Sequence, residues 1–489
     1  MDLQVTTSGG AASALEESVV RAFGARLRGE LLQAGDEGYE EARKVWNGMI
    51  DRRPALIACA SSVADVINSV NFARENDLLV AVRGGGHNVA GTGTVDGGLL
   101  IDLSRMKGIK IDPERRTAHV EPGVTIGELD KKTQAFSLAV PMGVVSETGI
   151  AGLTLGGGLG WLRRKHGLSS DNLLSVELVT PDGKFVSASE EVNQDLLWGI
   201  KGGGGNFGIV TCFEYRLHAV GPEVMFAFVF YPGEQAREIL RSVNEYMAQA
   251  PDEVSPLAFL GRVPHDETFP EERQGEPFIA VAAMFAGEVE EGEKVLRPLR
   301  ELAVPIVDFS GTMPYVEAQK VLDEDYPAGG RYYWKSQNVN DLGDETIEYL
   351  IEHAEAAPSD HSTIDIWYQG GAMGRVGASE SAFGDRSAPI LLGIEANWEE
   401  PRDDEANVEW ARGVVAGMRR FSSGGAYLNF PGFMEEGQRL MRDSYGENYG
   451  RLVELKDEYD PDNLFRLNQN IKPTADGGVE HPVTGGGAA

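Results

Sequence analysis

A glycine-rich loop that ends in a histidine is the first feature of this sequence that could do chemistry. The hydrophobic run from Leu78 to Val82 predicts a strand, and Arg83-Gly84-Gly85-Gly86-His87-Asn88 follows it directly. Consecutive glycines let backbone N–H groups face a ligand without Cβ atoms in the way, and Arg83 adds a cation. The loop therefore suits a pyrophosphate, and His87 would lie beside whatever cofactor carries that pyrophosphate.

Two further glycine-rich stretches make this reading more specific than one loop would. The second runs from Gly149 to Gly160 with apolar residues interleaved, and the third runs from Gly202 to Gly208. Either stretch could serve tight packing of a helix on a sheet or close approach of backbone to a ligand, and both uses are compatible. The candidate cofactor contacts near the second loop are Ser146, Thr148, Gly149, Gly152, Gly157, Gly158 and Gly160.

The C-terminal segment carries a third set of motifs. Asn448-Tyr449-Gly450-Arg451-Leu452 is followed by Tyr459-Asp460-Pro461-Asp462-Asn463-Leu464-Phe465, which contains a turn signal. The piece Asn468-Gln469-Asn470-Ile471 comes next. The amides of Asn468 and Asn470 could meet the polar edge of a cofactor, or they could cap a loop; the sequence leaves both open.

Taken together, these motifs resemble the FAD-linked oxidases of the vanillyl-alcohol oxidase and p-cresol methylhydroxylase superfamily, and within it the berberine-bridge-enzyme-like group. The resemblance covers residues 40–220 and returns from Asn448 to Pro473. It implies an α+β protein with the two-domain FAD-binding fold of the p-cresol methylhydroxylase type. The substrate domain of that fold is one antiparallel sheet covered by helices.

The resemblance also implies how FAD is held. In the family, the histidine of an R-[GS]-G-G-H loop bonds covalently to the flavin 8α-methyl, and His87 occupies that place. Many relatives add a second bond through a cysteine in a G-x-C-P-T pattern. Val145 stands at the cysteine position here, and neither Cys59 nor Cys212 is near it in sequence. We therefore expect monocovalent FAD; the alternative is that His87 is an ordinary turn histidine.

Other positions enter as cofactor contacts by the same resemblance. They follow the glycine loops or lie in the segment that returns towards the flavin: Asn88, Gly91, His166, Asp171, Ile209, Val210 and Asn429.

The candidate proton acceptor is Tyr427, which belongs to a segment that resembles the family's Y-x-N motif. Tyrosine has an ordinary pKa of about 10, so action as a base at neutral pH requires a stabilised phenolate. Lys335 or Arg386 could supply the cation. A tyrosine that merely packs under the flavin is the alternative, and Asp365 and Glu395 are the competing bases.

Alternation along the predicted strands of the middle region places polar side chains on one face. The candidate substrate contacts are Trp367, Gln369, Asn397, Tyr333 and Lys335, beside Asp365 and Glu395. Such a face is too polar for a core. It could be plain solvated surface, whereas the resemblance implies that it lines the pocket opposite the flavin.

Strand and helix signals divide the chain into five parts. A lead covers 1–38, with a helical stretch from Leu15 to Leu32, and an FAD-binding domain covers 39–220 and opens on a helix from Tyr39 to Asn47. A substrate-binding domain covers 221–423, and 424–475 returns to the FAD domain. The remaining tail, 476–489, is predicted to be flexible, with disorder at Gly485 to Ala489.

Composition limits the partners and the location. The net charge is −32, so binding to nucleic acid or to an anionic membrane is not expected, because both need a basic footprint. No apolar run long enough to span a membrane and no secretory signal is visible, and the cysteine count is 2, which predicts a cytoplasmic protein. The excess of acidic residues could serve solubility alone, or it could be an adaptation to high salt.

These patterns predict an enzyme, an FAD-dependent oxidase. A hydride would pass from an alcohol or amine carbon of a small organic or sugar substrate to FAD, and O₂ would reoxidise the flavin to give H₂O₂. The alternatives are a dehydrogenase with another acceptor and a non-catalytic flavin- or ligand-binding protein. No G-x-x-x-x-G-K-[ST] motif and no metal-ligand spacing of histidines or cysteines occurs, so neither a P-loop enzyme nor a bound metal is expected. The sequence does not specify an oligomeric state.

Overall fold

Two units meet face to face in this protein. The structure, a computed structural model, describes residues 2–477. The first, which we call the glycine-loop unit, comprises residues 2–220 and 424–477; the second, the sheet unit, comprises residues 221–423. No helix within the described residues is long and apolar enough to cross a membrane.

The glycine-loop unit is a set of small sheets with short helices between them. Its strands are β1 (Leu3–Thr6), β2 (Ala12–Leu15), β3 (Glu30–Leu32), β4 (Leu56–Cys59), β5 (Val80–Arg83), β6 (Leu99–Asp102), β7 (Ile109–Asp112), β8 (Thr117–Val120), β9 (Leu138–Ala139), β10 (Leu173–Val179), β11 (Phe185–Ser189), β12 (Ile209–Arg216) and β13 (His218–Ala219). Its helices before residue 220 are α1 (Glu17–Gly24), α2 (Tyr39–Ala42), α3 (Val63–Glu75), α4 (Ile126–Thr133), α5 (Ile150–Leu155), α6 (Arg163–His166) and α7 (Gln194–Ile200).

A β-α-β arrangement presents the first glycine loop. Strands β4, β6 and β5 are neighbours and run parallel, and α3 connects β4 to β5. Ser62 caps α3 by accepting a hydrogen bond from the backbone N–H of Asp65 (3.4 Å), as the Ser-x-x-Asp spacing predicts. Since β5 ends at Arg83, the loop begins at the carboxyl end of a parallel strand, where ligands of such sheets bind.

A second sheet presents the third glycine loop. Its order is β11-β10-β12-β8-β7, with antiparallel neighbours throughout. The stretch Gly202–Gly208 leads straight into β12 at Ile209. This loop therefore faces the same side of the unit as the first one.

The sheet unit is one broad antiparallel sheet. Its strands are β14 (Glu223–Pro232), β15 (Val254–Arg262), β16 (Pro277–Phe285), β17 (Val307–Asp308), β18 (Gly311–Pro314), β19 (Arg331–Val339), β20 (Thr363–Tyr368) and β21 (Ile390–Trp398). The strand order is β17-β14-β16-β15-β20-β21-β19, and β18 also pairs with β14. Its helices are α8 (Ala236–Met247), α9 (Val289–Arg300), α10 (Tyr315–Ala318), α11 (Asp344–Glu355), α12 (Gly371–Arg375) and α13 (Asp404–Met418).

Apolar side chains determine how this sheet is covered. On one face, alternate residues of the strands pack against α8, α9, α11 and α13 in a single core. The other face turns towards the glycine-loop unit. The predicted antiparallel sheet with helices on one face is therefore confirmed. These helices leave the second face uncovered, so it can form one wall of a site.

The C-terminal segment returns to the glycine-loop unit through α14 (Gln438–Tyr445) and α15 (Tyr449–Tyr459). Lys456 is fully buried and pairs with Asp460 (2.7 Å). The same ammonium donates to the carbonyl oxygens of Asn206 (3.0 Å) and Phe465 (3.1 Å). These bonds fix the Asp460–Asn463 turn, and the asparagines that follow it, against the third glycine loop.

Several local predictions differ from the structure. The helical stretch predicted from Leu15 to Leu32 is only Glu17–Gly24, and the lead is packed into the unit: β1 and β2 form a hairpin, β3 pairs with β4, and Phe23 of α1 is buried. The predicted helix from Tyr39 ends already at Ala42. The central strand β15 contains Pro256, which pairs with Ala283 of β16 and lies just beyond the residues that pair with β20. The predicted disorder at 485–489 lies outside the described residues.

Candidate functional site

A cavity of about 250 Å³ lies between the two units. The three glycine loops supply one wall, and β19, β20 and β21 supply the opposite one. The C-terminal segment closes it with Phe465, Leu467, Asn468 and Gln469. The three glycine loops therefore meet at this cavity.

The first loop is held from below by an ion pair. Arg83 contacts Asp102 through Nη2–Oδ2 (2.9 Å) and Nε–Oδ1 (3.0 Å), and it donates to the carbonyl of Lys44 (2.7 Å). Its charge is therefore already neutralised, which corrects the expectation of a free cation beside a pyrophosphate. Gly84, Gly85, Gly86, His87 and Asn88 line the cavity as predicted.

Close contact between the first two loops explains their glycines. A Cβ atom on Gly85 would lie 2.5 Å from the backbone of Gly149, and one on Gly149 would lie 2.5 Å from the nitrogen of Gly85. The two backbones therefore touch with no room for side chains, which leaves their surfaces open towards the cavity.

His87 has an unusual environment for a turn histidine. Its Nε2 is buried and has no hydrogen-bond partner among residues 2–477, while the ring lines the cavity. Burial lowers the pKa of His87 to about 4, so the imidazole is neutral at physiological pH. Trp46 stacks on the ring with centroids 4.1 Å apart. A neutral imidazole with an unused nitrogen can act as a nucleophile, which fits the covalent flavin link implied by the resemblance.

The position that many relatives fill with cysteine holds Val145, which lines the cavity. Cys59 lies in β4 and Cys212 in β12, and neither is among the lining residues. Burial raises the pKa of each thiol to about 11, so both are protonated. The described residues that line the cavity thus offer His87 but no thiol as a nucleophile.

The remaining predicted cofactor contacts form two groups, those that line the cavity and those that do not. Those that line the cavity are Thr148, Gly149, Gly152, Ile209, Val210, Asn429 and Asn468. Those that do not line it are Gly91, Ser146, Gly157, Gly158, Gly160, His166, Asp171 and Asn470.

Four members of the second group make packing or bonding contacts away from the cavity. A Cβ atom on Gly160 would lie 1.7 Å from the carbonyl of Met142, so this glycine serves packing. Ser146 bonds Asp323 of the sheet unit (Oγ–Oδ2, 2.6 Å). His166 stacks on His218 with centroids 3.8 Å apart, and Asp171 pairs with Arg386 (2.6 Å).

Opposite the loops, two carboxyl groups meet on the sheet. Glu395 of β21 is 2% exposed and Asp365 of β20 is 1% exposed, and both line the cavity. In the β20–β21 register Asp365 faces Gly393, while Glu395 faces Thr363, so the two acids are diagonal neighbours. A Cβ atom on Gly393 would lie 3.1 Å from Glu395 Oε1 and 3.3 Å from Asp365 Cβ, so this glycine makes room for the pair.

Burial and mutual repulsion determine how the pair titrates. Burial raises the pKa of Glu395 to about 7 and raises that of Asp365 well above its usual range, with the charge of Glu395 as the next cause for Asp365. Tyr326 donates its hydroxyl to Glu395 Oε2 (2.8 Å), and Thr363 donates to Asp365 Oδ1 (2.7 Å). Above about pH 7, where Glu395 has lost its proton, the two carboxyls hold one proton between them.

Tyr427 also lines the cavity, and its hydroxyl oxygen accepts three hydrogen bonds. The donors are the backbone N–H groups of Gly158 and Leu159 (3.2 Å each) and the amide of Asn429 (2.8 Å). Burial nevertheless raises the pKa of Tyr427 above its ordinary value, because these donors offset only part of the cost. The tyrosine is therefore a phenol at neutral pH.

Neither predicted cation accompanies Tyr427. Lys335 pairs with Glu436 (2.8 Å) on the other face of β19, and Arg386 pairs with Asp171. The prediction that one of them stabilises a phenolate is wrong. Alternation shows which residues share a face but not which face turns inwards.

Four of the five predicted substrate contacts also lie outside the cavity. Trp367 lines the cavity, whereas Tyr333 and Lys335 lie on the other face of β19, with Tyr333 packed in the helix-covered core. Gln369 lies outside the cavity and donates to Asn338 (3.3 Å), and Asn397 accepts from Trp334 Nε1 (2.7 Å) rather than lining the wall. The aromatic wall that the sequence reasoning missed is Tyr326, Trp334 and Phe430.

Comparison with known proteins agrees with this geometry. A family model described as an FAD binding domain matches residues 54–189, and one described as berberine and berberine like matches residues 426–472. An FAD-linked oxidoreductase of Dictyostelium discoideum is 32% identical over 460 residues, which cover 93% of this chain and 97% of that protein. The (R)-6-hydroxynicotine oxidase of Paenarthrobacter nicotinovorans is 29% identical over 459 residues, covering 91% and 97%.

Solved structures show the same fold. The crystal structure of 6-hydroxy-D-nicotine oxidase from Arthrobacter nicotinovorans matches with a TM-score of 0.79 at 28% identity, over 91% of this chain and 98% of that one. The berberine-bridge-enzyme-like protein 1 of Physcomitrella patens matches with a TM-score of 0.82 at 23% identity, over 94% and 100%. The predicted α+β fold of the p-cresol methylhydroxylase type is therefore confirmed. With three glycine loops and a free imidazole at the cavity, this chain belongs to the FAD-linked oxidoreductases of the vanillyl-alcohol oxidase and p-cresol methylhydroxylase superfamily, in its berberine-bridge-enzyme-like group.

Proposed function

We propose that this enzyme is an oxidase of a compact amine that carries an aromatic or cyclic body. A hydride would leave the carbon next to the amine nitrogen for FAD, and O₂ would take the electrons to give H₂O₂. The observation that carries the proposal is the buried acid pair, Asp365 and Glu395, in a cavity walled by aromatic rings.

The charge balance of the cavity favours a cationic substrate. Among the described lining residues, Arg83 is the one permanently basic side chain, and Asp102 neutralises it. His87 is neutral because burial lowers its pKa to about 4. When Glu395 is ionised, its charge therefore has no counter-ion among the described lining residues, and a substrate ammonium would supply one.

The walls suit an aromatic or cyclic amine better than a sugar. Tyr326, Trp334, Trp367 and Phe430 surround the acid pair. Aromatic faces attract cations, each contact being worth about 0.5–2 kcal/mol. Sugar hydroxyls would need many polar partners, and few polar side chains line this wall. A relative at 29% identity is named as a hydroxynicotine oxidase, and nicotine carries a cyclic amine, which supports the same substrate class.

The acid pair would also move the proton. A general base works best when its pKa is close to the working pH, and that of Glu395 is about 7. Glu395 would accept the ammonium proton and thereby expose the nitrogen lone pair that assists loss of the hydride. Asp365 would keep its proton and hold Glu395 in place. Tyr427, as a phenol, would form a wall of the cavity and orient the substrate rather than act as the base.

His87 would hold the cofactor from the glycine-loop side. FAD, when bound, supplies the two-electron acceptor. In the attachment, the unprotonated ring nitrogen of His87 would gain a bond to the flavin methyl carbon, that carbon would lose one hydrogen as a proton, and the other ring nitrogen would release its own proton. The two electrons released would pass to O₂, the oxidant of the proposed reaction. Val145 leaves this single covalent bond, so the flavin would be monocovalent.

A paired substrate series tests the proposal. Aryl-substituted pyrrolidines would be compared with aryl alcohols of the same shape and with oligosaccharides, by anaerobic bleaching of the flavin and by peroxide release in air. We expect bleaching and peroxide with the amines alone. Bleaching by alcohols or sugars alone would contradict the amine assignment. Bleaching without peroxide would instead indicate a dehydrogenase, and a flavin that no member reduces would favour a binding protein.

A further inference from the structure

We infer that Trp46 is a positioning residue for covalent attachment of the flavin, and that the sheet unit sets its position. Trp46 would hold the His87 ring in the orientation that the bond requires. This inference rests on the proposed bond at His87. It adds that the glycine-loop unit does not orient this histidine by itself.

Ring stacking is the first argument. The indole of Trp46 lies between two rings: His87 on one side (centroids 4.1 Å, 18° between planes) and Tyr332 on the other (3.8 Å, 9°). Trp334 meets the same indole edge-on at 5.1 Å. Trp46 is 5% exposed, so the indole is buried within the stack. The imidazole plane therefore follows a plane that β19 of the sheet unit determines.

Hydrogen bonds fix the indole within that stack. Trp46 donates from its backbone N–H to the carbonyl of Gly86 (3.1 Å), next to His87, and from Nε1 to the carbonyl of Tyr326 (2.9 Å). Gly329 donates to the carbonyl of Trp46 (2.8 Å). Trp46 is thus bonded to the histidine loop on one side and to residues 326–329 of the sheet unit on the other.

The next residue repeats the connection. The side-chain amide of Asn47 donates to the carbonyl of Val89 in the histidine loop (2.7 Å) and to that of Tyr332 in β19 (2.8 Å). Gly48 then donates to the carbonyl of Gly330 (2.7 Å). Residues 46–48 therefore join the two units along the edge of the cavity where His87 lies.

The histidine has little else to orient it. Within the described residues, Nε2 is buried without a partner, and the other polar contact of the ring is a hydrogen bond with its own backbone. Rotation about the Cβ–Cγ bond of a histidine is otherwise broad. Misplacement of a reacting atom by about 1 Å can cost about 100-fold in rate. Stacking on Trp46 is thus the contact that holds the nucleophile at the required angle.

The test uses the purified full-length protein and measures flavin that stays with acid-precipitated protein, both as isolated and during incubation with added FAD. We expect Trp46→Leu to incorporate covalent flavin about 10- to 100-fold more slowly, while it still binds added FAD non-covalently. Trp46→Phe keeps a stacking ring and should recover most of the rate. Tyr332→Leu, which removes the outer ring, should give an intermediate rate.

Trp398→Leu is the matched control, because Trp398 is also buried (3% exposed) and donates from Nε1 (2.8 Å to Asp404), but belongs to the helix-covered core. It should lose stability and keep the full rate of attachment. Equal rates in Trp46→Leu and unmodified protein would overturn the inference, as would equal losses in Trp46→Leu, Trp46→Phe and Trp398→Leu. If unmodified protein carries no flavin on the peptide that contains His87, the covalent part of the proposed function fails instead, and the inference with it.

Discussion

Asp130 is a buried acid whose replacement should stabilise the protein by a calculable amount. It lies in α4 under α10 of the sheet unit, is 1% exposed, and neither carboxyl oxygen has a hydrogen-bond partner. Burial raises its pKa from 3.8 to about 8. The folded protein therefore holds a proton on Asp130 at pH 7 that the unfolded chain has released.

The direction in which stability changes with pH follows from the proton that Asp130 takes up on folding. The folded state binds more protons than the unfolded state between pH 3.8 and about 8, so stability falls as pH rises through this range. Each pH unit costs about 1.4 kcal/mol, which gives an upper estimate of about 4 kcal/mol at pH 7. Asn has a similar shape and no proton to gain. Asp130→Asn should therefore be more stable, by an amount that grows by about 2.6 kcal/mol from pH 5 to pH 7.

Thermal unfolding at matched scan rates measures this difference. A chain of this length changes stability by about 1 kcal/mol per kelvin near its melting temperature, so the advantage of Asp130→Asn should widen by about 2–3 °C from pH 5 to pH 7. Asp65→Asn is the matched control. Asp65 is equally buried, but backbone N–H groups of Arg28 and Ser61 outweigh the cost of burial and lower its pKa.

The control should respond in the opposite direction. Because the folded pKa of Asp65 is lowered, its stabilisation is present above pH 3.8 and is lost as the pH falls, so Asp65→Asn should be less stable at pH 7. A melting-temperature difference for Asp130→Asn that is flat between pH 5 and pH 7, or a destabilised Asp130→Asn, would refute the reasoning. Either result would mean that Asp130 is ionised in the folded protein.

Three further outcomes are expected. Glu395→Gln should slow flavin reduction by an amine about 10²–10⁴-fold in anaerobic stopped flow and leave reoxidation by O₂ unchanged. Tyr427→Phe should slow flavin reduction far less. If Tyr427→Phe has the larger effect, Tyr427 is the base instead. In unmodified protein the reduction rate should rise with pH through about 7, because Glu395 must lose a proton before it can accept one; a flat profile between pH 6 and pH 8 would exclude it. Molar KCl should raise the melting temperature by screening the net charge of −32, and a fall would remove the idea of adaptation to salt.

The sequence alone determined what depends on local pattern. Glycine density located the three loops, since few other residues allow two backbones to touch as Gly85 and Gly149 do. Strand periodicity placed Asp365 and Trp367 on one face of β20, and Glu395 on the corresponding face of β21. The valine at position 145 already excluded a thiol there. Each of these inferences needed only neighbours within a few residues of the chain.

Tertiary structure decided everything that depends on distant pairing. Alternation shows that Tyr333 and Lys335 share a face of β19, but only the packing of the helices shows that this face points away from the cavity. Arg83 is neutralised by Asp102 across two parallel strands, which a motif cannot reveal. His87 meets Trp46 and, through it, Tyr332, because the two units are docked. Such contacts depend on how surface is buried throughout both units. The structural preferences of neighbouring residues in the sequence do not determine this.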